Sequence, residues 1–221
     1  MTSLHAARAL MQFRRAVDQA DLDAIMRLRD DIYVQDQDRL ADAADFQSSF
    51  DVYDEYATYI IGAVDGRDVG VVKVIADSPI GLPCDTTVDL APLRKQGRLA
   101  EIGHLMTLPD TRHRGVGVAL MKVALDHAMD HGPVDIVLGD FFATPQGGLH
   151  EFYQSLGFFQ VGETYRDDRF RNSPWSVVGG LDISRAIHRA REDDATEAMI
   201  FLFGDLDLPG TEHSAAEGGS V

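Results

Sequence analysis

The chain has 221 residues, 45% of them hydrophobic, and a net charge of −16, so it can bury an ample core but lacks the basic surface of a general nucleic-acid binder. Cys84 is the sole cysteine, which rules out an intrachain disulfide and suits a reducing cytoplasm. The apolar runs 59–64 and 199–203 are too short to span a bilayer, the N-terminal stretch with Arg8, Arg14 and Arg15 lacks the apolar region of a secretory signal, and no Cys/His cluster has metal-ligand spacing. Leu4, Ala7, Leu10, Met11, Arg14 and Val17 recur at helical spacing and predict a helix over 4–19. Asp21 is placed to cap a second helix over 22–34. Residues 35–50 are acidic and patternless and read as a loop or lid. Two antiparallel strands follow within 51–64 and 69–76, joined by the hairpin signal Asp65-Gly66. Pro79, Pro83 and Pro92 mark 77–97 as a long connection.

Residues 98–108 are largely apolar, as a buried central strand should be, and Pro109-Asp110 stops them. An amphipathic helix is expected over 116–131, with Leu120, Met121, Ala124, Leu125 and Ala128 on one face. Strand 135–142, helix 149–156 ended by Gly157, and a strand pair 158–165 and 175–183 complete the order. The tail is helical over about 184–204 and reads as disordered and acid-rich from 205 to 221. The apolar stretch 199–203 is either the buried end of a last helix or an interface. This is one α/β (α+β) domain spanning 1–204, a mixed sheet with helices on both faces.

Arg112-His113-Arg114-Gly115-Val116-Gly117-Val118 stands between that central strand and its helix. Glycines let backbone N–H groups approach a ligand closely, and a helix start adds unpaired donors and partial positive charge. With two arginines the segment makes a seat for a pyrophosphate; a plain tight turn is the alternative. Glu101 lies on the buried strand, where a carboxylate is costly unless it is paired or its pKa rises toward that of a useful base. An ion pair with Arg98, His104 or Lys73 is the competing reading. His104 is a second candidate base, but three positions along a regular strand it faces the other way. Arg166, Arg169 and Arg171 form a basic cluster that is either a ligand patch or solvated surface.

Arg112-x-x-Gly115-x-Gly117 after a strand resembles the acyl-CoA pyrophosphate loop of the GNAT superfamily of N-acyltransferases, and Tyr153-Gln-Ser-Leu-Gly157-Phe158 resembles its Y-x-x-x-G-F segment. The resemblance covers about 20–183 and implies the GNAT fold, a twisted sheet with a splayed strand pair at the thioester site. It implies that backbone N–H groups of Leu105, Met106, Thr107 and Leu108 polarise the thioester carbonyl, and that Tyr153 protonates the departing sulfur.

A closer resemblance is to the long-chain N-acyl amino acid synthases and their relatives, the acyl-homoserine-lactone synthases. It rests on Arg29-Asp-Asp-Ile-Tyr33, Asp51-Val-Tyr-Asp54, Gly70-Val-Val-Lys73, Gly81-Leu-Pro83 and Glu101-Ile-Gly-His104. It implies that Arg29, Tyr33, Asp51, Asp54 and Lys73 surround the amine substrate, although both aspartates could instead cap a turn. Lys73 and His104 stand where that branch has arginine, which keeps a cation but loses the bidentate fork for a carboxylate.

The expectation is a cytoplasmic N-acyltransferase that moves an acyl group from acyl-CoA, or from the phosphopantetheine of an acyl-carrier protein, to a primary amine such as an amino acid. Its alternatives are a short-chain acetyltransferase using acetyl-CoA and a catalytically silent acyl-CoA-binding module. No metal is expected, and a homodimer is left open.

Overall fold

The β-branched runs in the middle of the chain hydrogen-bond into one seven-stranded sheet of order β1-β2-β3-β4-β5-β7-β6. The computed structural model describes residues 4–40 and 52–208. Its strands are β1 (Met11–Arg15), β2 (Ala57–Val64), β3 (Arg67–Ala76), β4 (Leu99–Thr107), β5 (Ile136–Phe142), β6 (Phe159–Arg166) and β7 (Trp175–Asp182). Neighbours are antiparallel except β4 and β5, which run parallel. The β2–β3 hairpin closes through Asp65 and Gly66 at φ +49° and +77°, the mirror-image turn that matches strand twist.

The helices are α1 (Leu4–Ala9), α2 (Gln19–Arg29), α3 (Ala91–Arg94), α4 (Val116–Asp130), α5 (Glu151–Ser155), α6 (Ile183–Ala190) and α7 (Glu197–Phe203). Helix α4 lies so close over β3 that a Cβ on Gly70 would meet Leu120 at 2.8 Å and the Met106 carbonyl at 2.7 Å. Helices α1 and α7 pack against α4 on that face, and α6 packs against α7. The opposite face carries Lys73, Tyr59 and the residues of α2 that meet them. A smaller core of Ile75, Leu82, Cys84, Leu99, Ile136 and Leu138 sits there under the 77–97 connection.

The N-terminal expectations need correction. The predicted helix 4–19 ends at Ala9, and Met11–Arg15 becomes the edge strand β1, paired with Ile60–Val64. Sheet pairing outweighs helical periodicity here: Met11 is buried while Leu10, which the periodicity put on the same face, is 67% exposed. Helix α2 begins earlier than expected, because Asp18 caps it by accepting from the Asp21 N–H. The Asp21 carboxylate instead accepts from Val17 N–H and Arg14. The helix then widens into a π-helical segment, Asp30–Asp36, a local form often found at functional sites. Of the predicted lid 35–50, residues 41–50 lie outside the described residues, as does Asp51.

Val52–Tyr56, expected to open a strand, is a 3₁₀ helix and β2 starts at Ala57, while the expected connection 77–97 holds a 3₁₀ turn and α3; the other elements fall within a few residues of expectation. Met199–Phe203 is the buried end of α7, with Met199, Phe201, Leu202 and Phe203 inside and Ile200 outside. Packing continues past residue 204: Leu206 is buried, and buried Lys122 of α4, paired with Asp126 at 2.5 Å, takes Asp205 as a second carboxylate at 2.6 Å. The tail from 209 onward lies outside the described residues.

Candidate active site

Strands β4 and β5 pair over three positions only, Leu99–Glu101 against Ile136–Leu138. Beyond them β4 continues beside β3 and β5 beside β7, so a gap opens through the sheet. Two cavities meet there. One, of about 230 Å³, is largely apolar and runs through the gap beneath α4, with Ile102, Leu125, Val137, Phe141 and Tyr153 in its wall. The other, of about 580 Å³, lies on the opposite face among Lys73, Glu101, Arg39, Arg169, Phe142 and Phe170. Both are bounded by Tyr33, His104 and Asp140.

Glu101 is 4% exposed. Its Oε2 accepts from the Cys84 backbone N–H at 2.9 Å, in a 3₁₀ turn over Pro83–Thr86 begun by the Gly81-Leu82-Pro83 segment. None of the three cations considered as ion-pair partners neutralises it. Arg98 bonds Asp135, Lys73 bonds Asp54, and His104 faces Arg29. Burial pushes the Glu101 carboxyl up to about 7, against the opposing pull of the Cys84 hydrogen bonds. A carboxylate in that range can take a proton from an amine and release it again at neutral pH. Burial also pushes the Cys84 thiol up, leaving it protonated.

His104 does not face away from Glu101. The β3–β4 register passes from Val71↔Met106 to Lys73↔Gly103, so β4 carries one extra residue. His104 takes φ +49° at this bulge and turns onto the Glu101 face, where its Nδ1 lies 3.5 Å from Arg29 Nη2. Burial, with Arg29 and Lys73 adding positive charge, holds its imidazole well below the usual range and therefore neutral.

Of the predicted amine-site residues, Arg29, Tyr33, Asp54 and Lys73 converge on this face. Lys73 is fully buried and bonds Asp54 at 2.6 Å. Asp54 also accepts from Tyr59 OH at 3.0 Å, and the same hydroxyl accepts from Arg29 at 3.3 Å. Tyr33, on the π-helical segment, meets Phe170 edge to face. Asp51 lies outside the described residues.

Sequence reasoning missed Asp140, Tyr165 and Arg39. Asp140 Oδ2 accepts from Tyr165 OH at 2.5 Å and from Arg169 at 2.6 Å, and burial raises its carboxyl. Arg169 also bonds the buried Asp167, so this arginine of the basic cluster belongs to the cavity wall. Arg39 stacks on Phe142, 3.5 Å from the ring centroid. The period-2 alternation of β5 could have flagged Asp140, since it shares a face with Leu138, the register partner of Glu101.

On the α4 side, Gly115 sits at φ +82° as the N-cap residue of α4 and His113 at φ +61°. Helix geometry leaves the N–H groups of Val116, Gly117 and Val118 without intrahelical partners, and a ligand can approach Gly117 closely. Arg114 is exposed beside them, while Arg112 is engaged by Asp36 at 2.5 Å. Of the four carbonyl-polarising candidates, Leu108 is ruled out, since its N–H donates to Val69 at 2.9 Å. Alternation along an antiparallel strand then aims Met106 N–H at β3 and that of Thr107 at the gap, while Leu105 lies in the bulge. Tyr153 stacks on Phe141 with ring centroids 4.1 Å apart, and burial raises its phenol.

The sequence profile described as N-acyl amino acid synthase FeeM matches residues 24–179, a span that holds the lining of both cavities except Leu181. The chain belongs to the FeeM family. It is an N-acyltransferase that transfers an acyl group to an amine. The FeeM structure itself, an N-acyl amino acid synthase from uncultured soil microbes, superposes with a TM-score of 0.62 at 24% identity, over 78% of this chain and 90% of that one. Escherichia coli ElaA gives 0.56 at 21%, over 78% and 99%. BjaI, a CoA-dependent acyl-homoserine lactone synthase solved with SAM and isopentyl-CoA, gives 0.54 at 20%, over 80% and 84%. These likenesses establish the GNAT fold for the FeeM-family chain. No curated protein sequence matches it. Among the described residues there is no metal-binding group and no helix long and apolar enough to cross a membrane.

Proposed function

We propose that this N-acyltransferase takes its acyl group from an acyl thioester, acyl-CoA or acyl-carrier protein, and delivers it to the amino group of an amino acid. The observation that carries this reading is the buried Glu101, raised to about 7, in a charged cavity that shares Gly103, His104 and Asp140 with an apolar one. The α4 N-terminus and the Arg112–Val118 loop hold the pyrophosphate of CoA, or the phosphate of a carrier's prosthetic group. The thioester carbonyl lies in the gap, where the N–H of Thr107 stabilises the developing oxyanion.

The amine enters through the larger cavity as an ammonium. Glu101 accepts one proton, and the freed nitrogen attacks the carbonyl carbon to form the C–N bond. As the C–S bond breaks, Tyr153 gives its proton to the departing sulfur, the nitrogen's second proton replaces it on the phenol oxygen, and Glu101 releases the first to solvent. The products are an amide and a free thiol. Neutral His104, held by Arg29, orients the acceptor within reach of Glu101.

Release of free thiol from acyl-CoA and acyl-carrier protein, measured against the twenty L-amino acids, tests this. Turnover with at least one amino acid is expected, and E101Q should lower it about 10²-fold or more while donor-induced stabilisation persists. Equal turnover by E101Q across the pH range removes Glu101 from the reaction.

A further inference from the structure

An amino acid brings a carboxylate into the larger cavity beside its reacting nitrogen, and a carboxylate leaving water needs a cation to receive it. Most cations of that cavity are already engaged. Lys73 bonds Asp54, Arg169 bonds Asp140 and Asp167, and Arg171 bonds Asp38. His104 is neutral. Arg39 lines the same cavity, and among the described residues no carboxylate meets it.

Its surroundings hold the guanidinium in one pose. The guanidinium carbon lies 3.5 Å from the Phe142 ring centroid, contact distance for a cation lying on an aromatic face. Its Nε donates to Gln37 Oε1 at 2.8 Å, which stops the group from turning on the ring. The backbone is tied as well: Arg39 N–H donates to the Tyr33 carbonyl at 2.7 Å, and its carbonyl accepts from Arg171 N–H at 2.6 Å. The two Nη groups have no hydrogen-bond partner among the described residues and are not buried. Alternation along β5 puts Phe142 on the face of Leu138, the register partner of Glu101. The fork therefore stands over the same face of the sheet as the base.

We infer that Arg39 is the carboxylate anchor of the acceptor site, taking the amino acid's carboxylate on its two Nη groups while the amino group faces Glu101. This rests on the amino-acid acceptor proposed above and ties its selection to a free carboxylate. A preset planar fork matches two carboxylate oxygens and loses little freedom on binding. Burial pulls this guanidinium below its ordinary value, and an anion against it offsets that desolvation.

The test pairs each protein amino acid with its carboxamide and reads free thiol, with acetyl, octanoyl and hexadecanoyl thioesters of CoA and of carrier protein as donors. Wild type should prefer acid to amide by about tenfold or more in kcat/KM. Arg39→Met keeps a stem over Phe142; it should lower kcat/KM for the acid about tenfold, mostly through KM, and bring it level with the amide. Arg39→Lys keeps the charge without the fork and should recover part of the preference. Equal slowing of acid and amide by Arg39→Met, with the wild-type preference kept, overturns the inference and leaves the acyltransferase reading standing. Wild type that uses amides as well as acids does the same. Thiol release with no amino acid from any donor overturns both.

Discussion

A carboxylate raised by burial is at once a reagent and a cost, and Glu101 shows both. With its folded value about 7 against an ordinary 4.5, the unfolded chain gives up this proton at lower pH than the folded one. Its contribution to stability is therefore unpenalised below about pH 4 and falls as pH rises towards 7, by about 3 kcal/mol in all. E101Q should lose activity yet unfold at a higher midpoint than wild type at pH 8, and the two proteins should converge at pH 4. An E101Q midpoint no higher at pH 8 would show that the carboxylate is better compensated than its surroundings imply. In wild type, turnover should rise with pH through an apparent value near 7, and a profile flat from pH 5.5 to 8.5 would exclude Glu101 as the base. Tyr153→Phe keeps the ring that stacks on Phe141, so the fold should persist while turnover drops about 10²-fold. A larger loss with a poor thiol leaving group than with a good one would mark the phenol as the acid.

At the level of the element, local chemistry made most of the fold legible and tertiary pairing hid the rest. Asp65-Gly66 and the glycine-rich start of α4 each dictate one backbone geometry, and the hairpin and α4 formed as expected, whereas Pro83 and Pro92 sit in a 3₁₀ turn and in α3 within the expected connection. Met11–Arg15 carries apolar residues compatible with a helix or a strand, and only its partner Ile60–Val64, distant in sequence, decides between them. The site followed the same rule. Glu101 stood out because a carboxylate in a buried strand needs a reason. The orientation of His104 was misjudged because no residue pattern announces one extra residue in β4. Asp140 and Arg169 meet across 29 positions, a contact invisible to spacing. Helix α7 supplies a stability test of its own. Phe203→Ala, at a fully buried position, should cost about 3–5 kcal/mol, whereas Ile200→Ala, at 48% exposure, should stay within about 0.5 kcal/mol. Chemical denaturation of both variants would show whether α7 is part of the core or an appendage.

Across the whole molecule, a charge of −16 means that the folded chain works against its own repulsion. Its unfolding midpoint should rise between about 20 and about 200 mM sodium chloride, as the screening length shortens to below the molecular radius. A midpoint independent of salt would show that the many arginine–aspartate pairs already balance the surface locally. The three-position pairing of β4 with β5 has a mechanical consequence at the same scale. The sheet is two half-sheets, β1 to β4 and β5 to β7, joined along a ladder only three residues long, with α4 and the loops bracing them from outside. A thioester lying in the gap bonds to β4 on one side and packs on β5 on the other, so it acts as a tie-bar between beams that otherwise share one short weld. Donor binding should accordingly slow amide exchange in β6, none of whose residues lines either cavity, as well as in β4.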